Sequence, residues 1–237
     1  MQHIQVKYNN IKNIIVHCNL LYMAMKGSIN DFTKSGFSRL LKPFENSTGD
    51  IMKITRAFSI AIKVHSGQFK RGNKMEPYIN HPIRVALILT EELHEYDIDL
   101  VCAAILHDTL EINAETIGNR PENNTAGSRA LLEERVKNEF GERVFSIVNT
   151  VARPSAKSGE KEKILGEYFR NIAKGSEDVR YIKLADRLDN IRSLKNAMQK
   201  DKVLRYKEET QKYVVPIAEK TDEKFVFKLS VALYELK

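Results

Sequence analysis

The chain of 237 residues is 42% apolar and 29% charged, a mixture that excludes a disordered or low-complexity polymer. With 11 glycines, 6 prolines and no tryptophan, punctuation is scarce, which favours long helices over a β architecture. The formal net charge of +7 suits an acidic partner, but basic and acidic residues are interleaved and no RNP-type or zinc-finger pattern occurs, so nucleic acid is not the expected one.

In chain order, the first apolar stretch is NIIVHCNLLYMAM, residues 13–25, interrupted by His17, Cys18 and Asn19. It falls short of the roughly 20 apolar residues that cross a bilayer, and MKGSIND after it offers no small-x-small cleavage site. The expectation is an added helix or extension, with neither membrane insertion nor export. Residues 26–50 carry GS, NSTG and a proline and read as a linker, so that 1–50 form an extension and 51–237 the domain proper. Cys18 and Cys102 are far apart and lack a CxxC partner, which fits a reducing cytoplasm.

From Asp50 the period is helical: Ile51, Ile54, Phe58 and Ile62 share a face, and Gly67 ends the run. A basic, turn-rich loop follows. Pro82 then sits well in the opening of a second helix, with an extended backbone expected just before it at His81. Asp97 or Asp99 caps a third helix that runs through LVCAAILHDTLE, in which Cys102 is a small core residue. Residues 112–127 read as a long loop. Helical periods resume over 128–141 and 142–153, break at PSAKSGEKEK, and continue over 162–175, 176–198 and a C-terminal pair. The expected architecture is an all-α bundle of roughly eight helices.

Three segments carry chemistry. His107 and Asp108 end an apolar run. Adjacent residues on a regular helix diverge by about 100°, but a relaxed last turn lets both face one ion. An imidazole and a carboxylate suit Mn, Fe or Zn better than Ca. Glu111 stands i+4 from His107 and i+3 from Asp108, where a carboxylate can orient or deprotonate a water whose pKa a metal lowers. In YIKLADRLDNIRSL, Asp186, Asn190 and Ser193 fall at i, i+4 and i+7 on one stripe framed by apolar residues. A half-buried Asp186 needs a partner, for which a metal, Lys183 and Arg187 are all candidates. In HSGQFKRGNKMEPYINHPIRVA, His81 stands at a helix start, and Lys70 and Arg71 form a pair suited to a phosphate or a purine face. His81, His107, Asp108 and Asp186 together would make a complete set of metal ligands.

The order of these motifs resembles the HD-domain hydrolases of the alarmone (p)ppGpp, the RelA/SpoT homologue group, in their compact stand-alone form. The similarity runs from about Ile51 to Ala218 and includes ETQKYVVPIA at 209–218. The resemblance implies an HD-domain helical bundle in which His81, His107, Asp108 and Asp186 bind Mn or another divalent transition metal. Lys70, Arg71 and Asn190 would contact a guanine nucleotide, and Ser193 falls where the family has a similar polar residue. The implied reaction is removal of the 3′-pyrophosphate of (p)ppGpp, giving GDP or GTP and pyrophosphate, with Glu111 as the catalytic acid–base group. A homo-oligomer is left open.

The chain also departs from the family. Ile112 stands where the family pairs an aspartate with the glutamate, Asp189 where it often has histidine, and the 112–127 loop is longer than usual. Two alternatives follow from Ile112: an HD phosphohydrolase acting on another nucleotide or phosphoester, or a regulatory module that binds metal and nucleotide with weak catalysis. With no Walker-type glycine loop and about twenty residues after Ala218, alarmone synthesis is not expected.

Overall fold

The computed structural model describes residues 29–70, 73–111, 125–154, 160–195 and 200–236. The stretch 13–25, Arg71, Ile112 and the loop as far as residue 124 lie outside the described residues, as does the side chain of Lys70. The described residues form an all-α bundle with one short two-stranded ribbon, and with more helical segments than the roughly eight expected. No helix among them is long and apolar enough to cross a membrane.

The expected linker at 26–50 contains a helix, α1 (Asp31–Leu41), and a 3-10 turn (Lys42–Phe44). The NSTG stretch and the proline that suggested a linker do other work, and GS at 27–28 lies outside the described residues. Ser47 of NSTG caps α2 (Thr48–Val64), accepting from the Asp50 N–H at 3.3 Å. Pro43 lies in the 3-10 turn. Gly36 permits close packing, since a Cβ there would sit 2.9 Å from Ile83 Cγ2. Asn30 and Thr33 form a reciprocal capping box, each backbone N–H donating to the other's side-chain oxygen at 3.0 Å. Phe37, Leu40 and Phe44 are buried, and the Phe37 ring stacks on Phe58 with centroids 4.1 Å apart.

After α2, Gly67 takes φ +74°, as its place at the end of that run predicts. Strands β1 (Phe69–Lys70) and β2 (Asn73–Pro77) then pair antiparallel where a plain loop was expected, with Phe69 opposite Pro77 and Lys70 opposite Asn73. Helix α3 (Asn80–Leu87) begins before the proline, not after it. His81 is therefore helical rather than extended, and Pro82 lies in the first turn, where its missing N–H leaves no bond unmade. The helix runs on in π form over Ile88–Leu93 and stops at His94, which is left-handed at φ 62°.

Asp97 caps α4 (Ile98–Leu106), its carboxylate accepting from the N–H groups of Asp99 and Leu100 at 2.9 Å each. The remaining helices are α5 (Thr125–Phe140), α6 (Glu142–Val151), α7 (Lys161–Lys174) and α8 (Glu177–Arg192). After them α9 (Lys200–Glu209) passes through a π turn (Thr210–Val214) into α10 (Val215–Glu219), and α11 (Glu223–Glu235) follows. Every residue from Leu100 to Leu106 is buried, and α4 packs against α2, α3 and α6. Helix α8 lies against α3, α6 and α11. The side chains beyond the end of α4 are thus held by a helix whose buried Leu and Ile residues each contribute about 1.5–3 kcal/mol.

Helix α1 bears on the site through Asn80. Thr33 Oγ1 donates to Asn80 Oδ1 at 2.6 Å, and Asn80 Nδ2 donates to Asn30 Oδ1 at 3.2 Å. Asn80 is the residue before His81, so α1 fixes the start of the helix that carries that imidazole. Leu40→Ala is expected to lower stability by about 2–5 kcal/mol in urea denaturation, the loss typical of a fully buried leucine. An unchanged midpoint would show that α1 does not belong to the folded unit.

Candidate metal centre and active site

The third helix was expected to run through Glu111, but α4 ends at Leu106 and His107–Leu110 form a turn. The Thr109 N–H reaches Leu106 O at 2.9 Å and the Glu111 N–H reaches Asp108 O at 3.1 Å. Adjacent residues on a regular helix diverge by about 100°, yet here His107 and Asp108 face the same space, Nε2 and Oδ1 being 3.1 Å apart. His107 Nδ1 lies 2.8 Å from Ala104 O. A carbonyl only accepts, so the proton is on Nδ1 and Nε2 is the nitrogen left over. His107 Nε2 is buried and makes no hydrogen bond, though it lies 3.1 Å from Asp108 Oδ1.

His81 from α3 and Asp186 from α8 close on the same point. His81 Nε2 is 3.3 Å from Asp186 Oδ1 and 3.5 Å from Asp108 Oδ2, and His107 Nε2 is 4.0 Å from Asp186 Oδ1. The donor atoms of His81, His107 and Asp186 all lie within 4.8 Å of one another, and Asp108 joins them through both imidazoles. Ligands at about 2.1 Å from one ion stand about 3 to 4.2 Å apart, so the 3.1–4.0 Å separations suit a single cation. The orphaned His107 Nε2, a second imidazole nitrogen and two carboxylates form a donor set suited to a divalent transition metal.

Electrostatics within the cluster are strong. Burial pushes the Asp108 carboxyl up, but His107 and His81 outweigh it and hold it below the usual range. Burial likewise opposes ionisation of Asp186, and Lys183 and His81 reverse that, taking it well below the usual range. For His81, burial disfavours the imidazolium, yet the hydrogen bonds to Asp186 and Asp189 and the charges of Asp189 and Asp108 carry it up to about 10. Glu111 goes the other way: burial first, then the Asp108 charge, raises it to about 7. Its Oε1 accepts the Arg153 backbone N–H at 2.7 Å, which pins the carboxylate beside the cluster.

Lys183, another candidate partner for Asp186, is also present: its Nζ donates to Asp186 Oδ2 at 2.7 Å, leaving Oδ1 toward the imidazoles. Asn190, expected on the nucleotide, donates its amide to that same Oδ1. Arg187, the other alternative, points away and pairs with Glu209. Ser193 caps the end of α8 and, with Tyr78, Arg84, Asp189 and Asn190, lines a cleft that opens beside His81.

Two site residues escaped the sequence reading. Tyr78 donates its hydroxyl to Asp108 Oδ2 at 2.5 Å, and Asp189 Oδ2 lies 2.7 Å from His81 Nδ1. The clue for Asp189 was spacing, three residues after Asp186 on a face of α8 already in use; Tyr78 lies in the turn before α3, and its spacing gave no such signal.

Residues 57–222 match the HD domain family. The guanosine-3′,5′-bis(diphosphate) 3′-pyrophosphohydrolase of Aquifex aeolicus is 36% identical over 144 residues, 60% of this chain but only 18% of that protein. The one from Haemophilus influenzae is 36% identical over 163 residues, 67% of this chain and 21% of its own length. The chain thus spans about a fifth of these long relatives. The pyrophosphohydrolase MESH1 of Xenopus tropicalis is 31% identical over 149 residues, 62% of this chain and 73% of that one. A solved structure described as a metazoan orthologue of SpoT that hydrolyses ppGpp superposes with a TM-score of 0.60 at 26% identity, covering 77% of this chain and 94% of that one. A buried His-Asp cluster at the end of a central helix, matched over most of its length by proteins of this kind, makes the chain a member of the HD domain family, in the group that includes the MESH1 and SpoT-type pyrophosphohydrolases.

Proposed function

We propose that this chain is a metal-dependent hydrolase of (p)ppGpp, removing the 3′-pyrophosphate to give GDP or GTP and pyrophosphate in the cytoplasm. The observation that carries the reading is the meeting of His81, His107, Asp108 and Asp186, from three distant stretches of sequence, around one point. In this reading residues 51–237 carry the activity, with α1 of the preceding extension braced against them. The four side chains would hold one divalent ion, Mn²⁺ by preference, through the imidazole Nε2 atoms and carboxylate oxygens. When bound, such an ion supplies Lewis acidity, lowering the pKa of water and offsetting phosphate charge.

The chain's own groups supply the rest. Glu111, held by the Arg153 N–H and raised to about 7, is poised to take a proton from the attacking water near neutral pH. The water oxygen bonds to the phosphorus attached to the 3′ oxygen, the bond between them breaks, and the 3′ oxygen takes a proton as pyrophosphate leaves. Tyr78 and Lys183 fix the Asp108 and Asp186 carboxylates through hydrogen bonds of 2.5 and 2.7 Å. Asn190 and Ser193 line the cleft in which the nucleoside would lie, and Lys70 and Arg71 are assigned to phosphate or the guanine face. Chelation should abolish turnover. Glu111→Gln should lower kcat about 10²–10⁴-fold with bound metal retained, as measured by steady-state kinetics and metal analysis; wild-type kcat in the variant would remove Glu111 from the mechanism.

Ile112 favours a second reading, a metal- and nucleotide-binding module with weak turnover, because it replaces the aspartate of the resembled hydrolases. One experiment separates the two: purified full chain with Mn²⁺ and ppGpp, following pyrophosphate. Release that stops on chelation supports the hydrolase, and Ile112→Asp should then raise the rate. Bound nucleotide without release would overturn the hydrolase reading in favour of the module, and no binding with turnover of another phosphoester would overturn the choice of substrate.

A further inference from the structure

The side of His81 turned away from the cluster is occupied by a chain of charged groups that the proposed reaction does not use. His81 Nδ1 lies 2.7 Å from Asp189 Oδ2. Arg84 donates its Nε to Asp189 Oδ1 at 2.6 Å and its Nη1 to Glu76 Oε1 at 2.5 Å. The line Glu76–Arg84–Asp189–His81 thus ties the end of β2 to α3 and α8. Asp189 is 3% exposed, so its charge is held by these partners and not by solvent. Asp189 is also where the chain departs from the histidine often found in the resembled family.

An imidazole that offers Nε2 to a metal must carry its proton on Nδ1, and whatever binds that proton sets the tautomer and the plane of the ring. An ionised carboxylate only accepts, so it can hold Nδ1–H but cannot push a proton toward Nε2. The two imidazoles of the cluster are held differently: His107 by the neutral carbonyl of Ala104, His81 by a carboxylate. We propose that Asp189 is a positioning residue for the metal centre, holding the Nδ1–H of His81 so that Nε2 is the nitrogen turned to the ion, and that Arg84, braced by Glu76, keeps Asp189 aimed. The proposal rests on the metal-centre reading above but not on the choice of nucleotide.

Asp189→Asn is the discriminating variant. Arg84 needs an acceptor, so the amide oxygen stays with it and the NH₂ turns to His81. A donor facing Nδ1 drives the imidazole proton to Nε2, the nitrogen that faces Asp108 and Asp186. In the full chain, competition with a fluorescent chelator should show Mn²⁺ bound about 10–100-fold more weakly than by wild type, with the metal-free variant still folded by circular dichroism. Wild-type Mn²⁺ affinity in the variant overturns the proposal. If the variant does not fold, the wild-type chain loaded with Zn²⁺ and labelled with ¹⁵N-histidine decides: Nδ1 protonated and Nε2 on the metal at His81 supports the proposal, and Nε2 protonated with Nδ1 free of a proton overturns it. Pyrophosphate release from ppGpp is read separately. Loss of Mn²⁺ affinity in Asp189→Asn alongside a wild type inert toward ppGpp would sustain the role of Asp189 and sink only the nucleotide assignment.

Discussion

Asp108, Asp186 and Asp189 are buried within one small volume, and each is held in its ionised form. Removing three carboxylates from water costs several kcal/mol apiece unless opposite charge and hydrogen bonds compensate. The neighbours supply that compensation one oxygen at a time. Lys183 and Asn190 take Asp186, Tyr78 takes Asp108, Arg84 takes Asp189, and the two imidazoles stand between. What remains is His107 Nε2, buried without a hydrogen bond and facing carboxylate oxygen. A concentration of carboxylate charge around two imidazoles is an environment a divalent cation completes, and a core built only for stability would use apolar residues of similar volume.

The rest of the fold can be understood as the means of holding that arrangement. Helix α4 is buried from Leu100 to Leu106 and ends where the ligands begin, so His107 and Asp108 sit on a rigid apolar base while their own backbone leaves the helix. Helix α8 reverses the usual order of polarity: Lys183, Asp186, Arg187 and Asp189 are all buried on it, and Arg187 donates its Nη2 to Glu209 and lies over the rings of Phe169 and Tyr206. Helix α1 and its capping box steady Asn80, and through it His81. Glu111 is tied to the far side by the Arg153 backbone, which links the turn after α4 to the end of α6.

Much of this was legible in the sequence. The helical periods named the core, and His81, His107, Asp108 and Asp186 stood in motifs whose order and framing by apolar residues set them apart from surface polar groups. What was not legible depended on contacts between distant segments. Asp189 looks like any polar residue of an amphipathic helix until Arg84 and His81 are brought to it from another element. The linker at 26–50 misled because Ser47 and Pro43 break helices when read locally, whereas in the fold they cap a helix and turn the chain. His81 was expected extended because a proline follows it, yet the helix had already begun at Asn80, anchored from α1. At His81 local propensity yielded to tertiary hydrogen bonds made by Asn80.

The central claim is that one divalent ion is shared by four side chains from α3, the turn after α4, and α8. Its most direct test is an X-ray diffraction experiment on crystals of the full chain grown with Mn²⁺, with data collected on either side of the manganese absorption edge. The account predicts a single strong anomalous peak within ligand distance of His81 Nε2, His107 Nε2 and the carboxylates of Asp108 and Asp186. A cluster without a peak, or a peak bound elsewhere while these four side chains pair only with one another, would contradict it.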